Sequence, residues 1–224
     1  MRDEYIQYEV PNNGLNGGFM MNVLTDEEIK AGYRLLFDGK TLQGWAATRH
    51  PDGWLVQDGH LVCKGENNGY LYTLDQFENF ILQVEYRTAP KVNSGIFFRW
   101  TDLRDPVNTG LEMQILDTYD EEKTSKHSSG ALYDLVAPSS NAVRQAGEWN
   151  QATITCDRNR IRLALNGTVV VEADIDQWAA VGKNPDGSDN KFKYAWRDHP
   201  RSGHIGLQDH GGYVEFRNIK VVSI

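Results

Sequence analysis

The residues best equipped for chemistry fall in three short runs. In Gly110-Leu-Glu112-Met-Gln114-Ile-Leu-Asp117, strand alternation sends Leu111, Met113 and Ile115 to one face and Glu112 and Gln114 to the other. Asp117 has the wrong parity and joins them only if a bulge follows Ile115. Acidic groups held on one rigid sheet face suit general acid–base work on a sugar, although the same alternation describes the solvated outer face of an antiparallel sheet. In Asn93-Ser-Gly95-Ile-Phe97-Phe98-Arg99-Trp100, Gly95, Phe97 and Arg99 share one face and Ile96, Phe98 and Trp100 the other. An arginine between aromatics needs a carboxylate partner, and Glu112 on a neighbouring strand is the natural one, either as part of a clamp on a substrate oxygen or as a structural ion pair. The third run, Gly203 to Gly212, turns Ile205 and Leu207 inward and Gly206, Gln208 and His210 outward. If the runs line one concave face, Glu112, Gln114, Arg99, Gln208 and His210 converge, and the imidazole brings a side chain of the type that titrates near neutral pH. His127 and Tyr133 are weaker candidates of the same kind, and His50, His60 and His199 read as loop residues.

Other catalytic patterns are missing. The chain has no G-x-S-x-G elbow, P-loop, G-x-G-x-x-G after a strand, or H-E-x-x-H. Its two cysteines, Cys63 and Cys156, form no C-x-x-C pair and sit in apolar runs, so they read as buried reduced thiols.

The elements that must position these residues are mostly strands. Thr25 with Glu28 forms a capping box, and Gly32 follows where a helix C-terminus favours glycine, which predicts a short helix at about 25 to 31. Beyond it the period changes to two, as in Phe80, Leu82, Val84 and Tyr86. Asp58-Gly59 and Asn166-Gly167 each separate two apolar runs and predict β-hairpins. About a dozen strand candidates lie between residues 33 and 223, broken by one helix-like piece, Asp174 to Val181. The class is therefore all-β, an antiparallel sandwich or barrel. In the last strand the apolar phase changes from Val214 and Phe216 to Ile219 and Val221, which predicts a bulge near Arg217-Asn218. Residues 182 to 203 are polar and turn-rich and predict a long loop over one face.

Composition narrows the partners. At 224 residues and 40% hydrophobic content the chain can bury a core, and no run approaches the ~20 apolar residues of a membrane helix. Its 23 Lys and Arg against 31 Asp and Glu give a net charge of −8 without a basic cluster, which argues against nucleic acid and suits a neutral sugar better than an anionic one. Residues 1–23 are polar and Gly/Asn-rich, lack the basic and apolar regions of a secretory signal, and read as an N-terminal extension to a single domain at 24–224. Of the six tryptophans, Trp54, Trp100 and Trp149 are expected in the core, while Trp45, Trp178 and Trp196 lie in or next to loops as candidate platforms for sugar rings.

Taken as an ordered set, several motifs carry a resemblance. Thr25-Asp-Glu-Glu28, Leu35 to Trp45, Asn93 to Arg99, Gly110 to Asp117, Gly130-Ala-Leu-Tyr133, Gly147-Glu-Trp-Asn150, Asn166-Gly167, Asn190-Lys-Phe192 and Gly206 to Gly211 with Phe216-Arg-Asn-Ile219 resemble the 3-keto-disaccharide hydrolase domain family over residues 24 to 224. The resemblance implies a concanavalin-like jelly roll and bacterial export to the periplasm or the cell exterior, while residues 1–23 contain no lipobox. It also implies cleavage of glycosides that carry a ketone at C3, a small-molecule carbohydrate as partner, and no membrane-spanning segment. The C3 ketone acidifies the C2 proton, so a base can form an enolate, the C1 oxygen can leave, and water can add back. On this basis His210 and Glu112 are the expected base and acid in either order, with Arg99 and Gln208 as oxyanion stabilisers. Gln114, Asp117, Tyr133 and His127 join Gln208 as expected sugar contacts. A divalent cation held by Glu112 and His210 is the alternative electrophile to Arg99. Two other classes compete: a non-catalytic, lectin-like domain, and a retaining glycosidase in which Gln114 and Asp117 depart from the Glu-x-Asp-x-x-Glu spacing of laminarinase-like jelly rolls.

Overall fold

A computed structural model describes residues 21–66 and 69–224. Its chain order is α1 (Asp26–Ala31), β1 (Arg34–Leu35), β2 (Trp45–Ala47), β3 (Trp54–Gln57), β4 (His60–Cys63), β5 (Gly69–Phe77), β6 (Phe80–Thr88), β7 (Asn93–Trp100), α2 (Pro106–Thr109), β8 (Leu111–Leu116), β9 (Asn150–Asp157), β10 (Arg160–Leu165), β11 (Thr168–Asp174), β12 (Gly203–Asp209) and β13 (Val214–Ser223). Eight strands form one antiparallel sheet in the order β11-β10-β9-β6-β13-β4-β3, with β1 also on β13, and five form the other in the order β2-β5-β12-β7-β8. Phe80, Leu82, Val84 and Tyr86 of β6, Ile154 and Cys156 of β9, and Ile205 and Leu207 of β12 meet in the buried layer between the sheets. The antiparallel β-sandwich expected from the alternation is observed, and it is the jelly roll that the resemblance implies.

Local signals act where the sequence placed them. Thr25 and Glu28 make reciprocal capping hydrogen bonds at the start of α1, and Gly32 closes it in the left-handed region. Asp58-Gly59 and Asn166-Gly167 both have positive φ at each central residue, as type I′ hairpins require. Asn218, with φ 50°, interrupts the pairing of β13 with β6 between Arg217 and Lys220, so Val214, Phe216, Ile219 and Val221 all reach the core. The helix-like piece after β11 shrinks to one 3₁₀ turn, Ile175–Gln177, capped by Asp174. Residues 182–203 cross beside the smaller sheet: Lys193 N–H donates to Asn108 Oδ1 of α2 at 3.1 Å, and Phe192 and Trp196 are buried.

Of the expected extension, residues 1–20 lie outside the described residues. Asn22 is buried and exchanges two hydrogen bonds with Asn218, N–H to Oδ1 at 2.7 Å in one direction and 2.9 Å in the other.

The tryptophan expectations need correction. Trp45, Trp178 and Trp196 belong to the core cluster and offer no platform. Trp149 is only half-buried and lies on the outer face of the larger sheet over Arg87 and Arg217, because these flat cations give its ring a favourable cover outside the core.

Candidate active site

Strand register builds a grid on the outer face of the smaller sheet. Gln208 of β12 lies opposite Tyr70 of β5, Gly95 of β7 lies opposite Gln114 of β8, and Gly206 lies opposite both Tyr72 and Phe97, with Phe97 opposite Glu112. The face is covered, since β7 and β8 are buried on both sides. Glu112 retains 7% exposure, Gln114 3% and Gln208 7%, so a solvated outer face is not what this stripe forms.

Glu112 lies across Gly95. A Cβ built on Gly95 would stand 2.8 Å from Glu112 Cδ and would collide with Oε1, so the glycine opens the space the carboxyl occupies. The side chain makes no hydrogen bond or ion pair among the described residues. Burial therefore pushes its pKa up to about 8, and the positive charge of Lys191 pulls it back only partly. At neutral pH the group is a carboxylic acid, able to donate a proton.

Amides flank it. Gln208 Nε2 donates to Tyr70 Oη at 3.2 Å, while its buried Oε1 has no partner among the described residues and can accept from a hydroxyl. Gln114 Nε2 donates to Asn93 Oδ1 at 2.9 Å, which turns Asn93 Nδ2 toward His210 Nδ1 at 3.4 Å. His210 is exposed at the mouth. Tyr133 N–H donates to Glu112 O at 2.9 Å, so the segment after β8 pairs with its edge beside Glu112, and Lys191 Nζ donates to Tyr133 Oη at 2.9 Å. His127 stands next to Tyr133, its Nε2 3.2 Å from Asp134 Oδ1 and its side chain largely exposed. Val107, Leu135, Phe192 and Trp196 close the apolar side next to Glu112. A more open groove of about 590 Å³ along β9 to β11 holds none of these residues; its Arg162 is already paired with Glu172.

Two expected members are elsewhere. Arg99 has φ 51°, and the register passes from Gly206 opposite Phe97 to His204 opposite Trp100, so Phe98 and Arg99 together face Ile205 alone. This bulge reverses the parity read from the sequence. Trp100 joins Phe97 on the outer face, where both rings meet Tyr70 at centroid distances of 5.2 and 5.1 Å. Arg99 turns away, fully buried, and donates to Glu78 O at 2.9 Å and Arg158 O at 2.7 Å, which ties together the turns after β5 and β9. It neither pairs with Glu112 nor faces the cleft. His199, read as a loop residue, is buried and donates through Nε2 to the Arg99 carbonyl at 2.8 Å. Asp117 is the second correction. β8 runs in unbroken register to Leu116, no bulge brings Asp117 round, and its carboxylate accepts the Lys91 N–H at 2.7 Å. A pair of facing carboxyls, which a retaining glycosidase needs about 5 to 5.5 Å apart, is therefore not assembled around Glu112 among the described residues. The same residues supply no third His, Cys, Asp or Glu to complete a metal set with Glu112 and His210.

Sequence reasoning missed Tyr70, Asn93 and Lys191 as members of the site. Tyr70 and Tyr72 share a parity in β5, and Asn93 shares that of Gly95. That signal was present, but only the strand order joins them to Glu112.

The fold and site define an antiparallel β-sandwich with amides, tyrosines and a lone neutral acid gathered on one sheet. The match to the model of the 3-keto-alpha-glucoside-1,2-lyase-like domain extends over residues 32–222, and the chain belongs to that family. It is 29% identical over 225 residues to a 3-keto-disaccharide hydrolase of Bacteroides thetaiotaomicron, covering 85% of this chain and 78% of that protein. A crystal structure of a candidate glycosyl hydrolase from Parabacteroides distasonis superposes with a TM-score of 0.78 at 33% identity, covering 86% of this chain and 99% of the other. A second from the same organism gives 0.75 at 25% identity, covering 92% and 100%.

Proposed function

We propose that this protein cleaves the glycosidic bond of 3-keto-glycosides, with Glu112 as proton donor to the leaving oxygen. The observation that carries the reading is the Glu112 carboxyl: buried over Gly95, without a partner, and neutral at pH 7. A base removes the C2 proton, which the C3 ketone acidifies. The electron pair forms the C1–C2 double bond as the C1–O bond breaks, and the departing oxygen takes the Glu112 proton. Water then adds at C1 and a proton returns to C2, so the net reaction is hydrolysis. His210 is the base in this reading, since it is exposed and its Nδ1 has only a long 3.4 Å contact to Asn93 Nδ2 that a substrate can replace. Gln208, with Tyr70 behind its amide, serves the enolate oxygen and sugar hydroxyls, and Gln114 and Tyr133 serve as further sugar contacts. Arg99 and Asp117 have no part in it.

The test is turnover of a 3-keto-glycoside beside its parent glycoside in deuterium oxide. Cleavage of the keto sugar with deuterium at C2 is the expected result. Cleavage of the parent without exchange would make the site a direct glycosidase, and binding without turnover would make it a carbohydrate-binding domain.

A further inference from the structure

With Arg99 bound to the turns after β5 and β9 rather than facing the cleft, the proposed reaction lacks the cation expected at its developing oxyanion. When the base takes the C2 proton, the C–H electron pair forms the C2–C3 double bond and the carbonyl pair moves onto the C3 oxygen. The charge stays there until the C1–O bond breaks, when the pair moves on to form the C1–C2 double bond and the ketone returns. A donor already fixed at that oxygen lowers the barrier most.

Most polar groups of the cleft are committed. Gln208 Nε2 donates to Tyr70 Oη and Gln114 Nε2 to Asn93 Oδ1, so each amide keeps one neutral N–H. The Glu112 proton goes to the leaving oxygen. Tyr133 is different. Its Oη accepts from Lys191 Nζ at 2.9 Å, and the same ammonium lies 4.0 Å over the ring. The ammoniums of Lys183, Lys193 and Lys220 donate to carboxylates instead. A phenol whose oxygen is engaged in this way has its O–H proton left to give, and a donor that itself accepts from a cation makes a stronger hydrogen bond.

Tyr133 is also held at the right end of the site. Its N–H donates to Glu112 O, and its side chain and Glu112 border one cavity. Tyr70, whose pKa is raised first by burial, also feels Glu112 and Tyr133, and Lys191 partly offsets what burial does to Glu112. The leaving oxygen and the ketone oxygen stand on alternate carbons of one sugar ring, so the groups that serve them must be neighbours.

We propose that Tyr133 donates to the C3 oxygen and is a catalytic residue of the enolate-forming step, and that Lys191 is the positioning residue that acts through it. The proposal rests on the 3-keto-glycoside reading for the ketone, and turns the sugar contact given to Tyr133 into a contact with one atom.

The experiment uses a 3-keto C-glycoside, in which carbon replaces the C1 glycosidic oxygen, so that C2 deprotonation is followed without cleavage. Deuterium uptake at C2 from deuterium oxide is measured at saturation, and Kd by titration of the same ligand. Tyr133→Phe should lower the exchange rate by about 10² to 10³-fold while Kd changes by less than about threefold. Lys191→Met should lower it about tenfold and Lys191→Arg should restore most of the loss, whereas Lys193→Met, which removes a neighbouring ammonium, should exchange as wild type does. A wild-type exchange rate in Tyr133→Phe, or a weaker Kd with exchange at saturation intact, makes Tyr133 an ordinary sugar contact and overturns the proposal while the proposed function stands. If circular dichroism shows Tyr133→Phe to be unfolded, the exposed Lys191 decides, and an unchanged rate in Lys191→Met overturns the proposal. Cleavage of a 3-keto-glycoside by wild type without exchange of the C-glycoside means that no enolate forms ahead of cleavage, which overturns the proposal alone. Wild type that neither exchanges the one nor cleaves the other removes the proposal and the function together.

Discussion

The outer faces of the two sheets carry similar polar stripes and put them to opposite uses. On the larger sheet, Arg87 lies opposite Glu215 and Arg217 opposite Glu85 across β6 and β13, and each arginine Nε donates to its carboxylate at 2.7 Å. Trp149 covers both guanidiniums, and Tyr213 donates to Glu215 at 2.8 Å. Every charge in that patch has a counterpart. On the smaller sheet Glu112 lies opposite Phe97, leans over a glycine and has no counterpart. The alternation that produces a polar face is the same in both. The cross-strand neighbour decides whether a carboxylate is locked in a structural pair or left available to move a proton.

Four experiments would break or sharpen this contrast, taken from the largest expected effect downward. Glu112→Gln should lower kcat/KM on a 3-keto-glycoside by about 10² to 10⁴-fold without lowering Tm, whereas Glu215→Gln should lower Tm and leave kcat intact. Equal losses of activity in the two variants would abolish the distinction. Gly95→Ala should cost roughly 10 to 100-fold in kcat/KM with a native circular dichroism spectrum, because the methyl group displaces the carboxyl. Near-wild-type rates would mean that the position over Gly95 is not required.

The third experiment uses pH. The folded pKa of Glu112, about 8, lies above the ordinary 4.5, so the folded protein holds this proton more tightly than the unfolded chain. Its contribution to stability is fully present below about 4.5, declines as pH rises, and is lost above about 8. Urea titrations of wild type against Glu112→Gln should show a difference of a few kcal/mol developing across that window. The wild-type kcat/KM should fall above about pH 8 as the acid ionises. A stability difference independent of pH would show that burial does not perturb this carboxyl. The smallest effect is expected at Trp149→Ala, a loss of about 1 to 2 kcal/mol of stability with unchanged kcat.

Short-range chemistry was the most legible part of the sequence. A capping box, two Asn/Asp-Gly turns and the phase change at Asn218 are set by residues within a few positions of one another, and each formed as expected. Alternation likewise placed Glu112, Gln114 and Gln208 on one face. It failed at Arg99, where one left-handed residue reversed the parity. Nothing in the local pattern marks that position, because the reversal depends on the turn carbonyls of Glu78 and Arg158 that receive the guanidinium. Lys191 was illegible for a related reason: only the folded arrangement sets its ammonium on Tyr133 and near Glu112.

The position of β8 at the rim of its sheet has a mechanical consequence. Its free edge is occupied by the segment that follows: Gln114 N–H donates to Ala131 O, Gly130 N–H to Gln114 O, and Tyr133 N–H to Glu112 O. The acid and the segment paired beside it are therefore coupled through the backbone and shift together. Remodelling of residues 126–136 to admit a bulkier sugar would also loosen the strand that aims the proton, so new specificity at this segment should come with a slower chemical step unless the edge pairing is rebuilt.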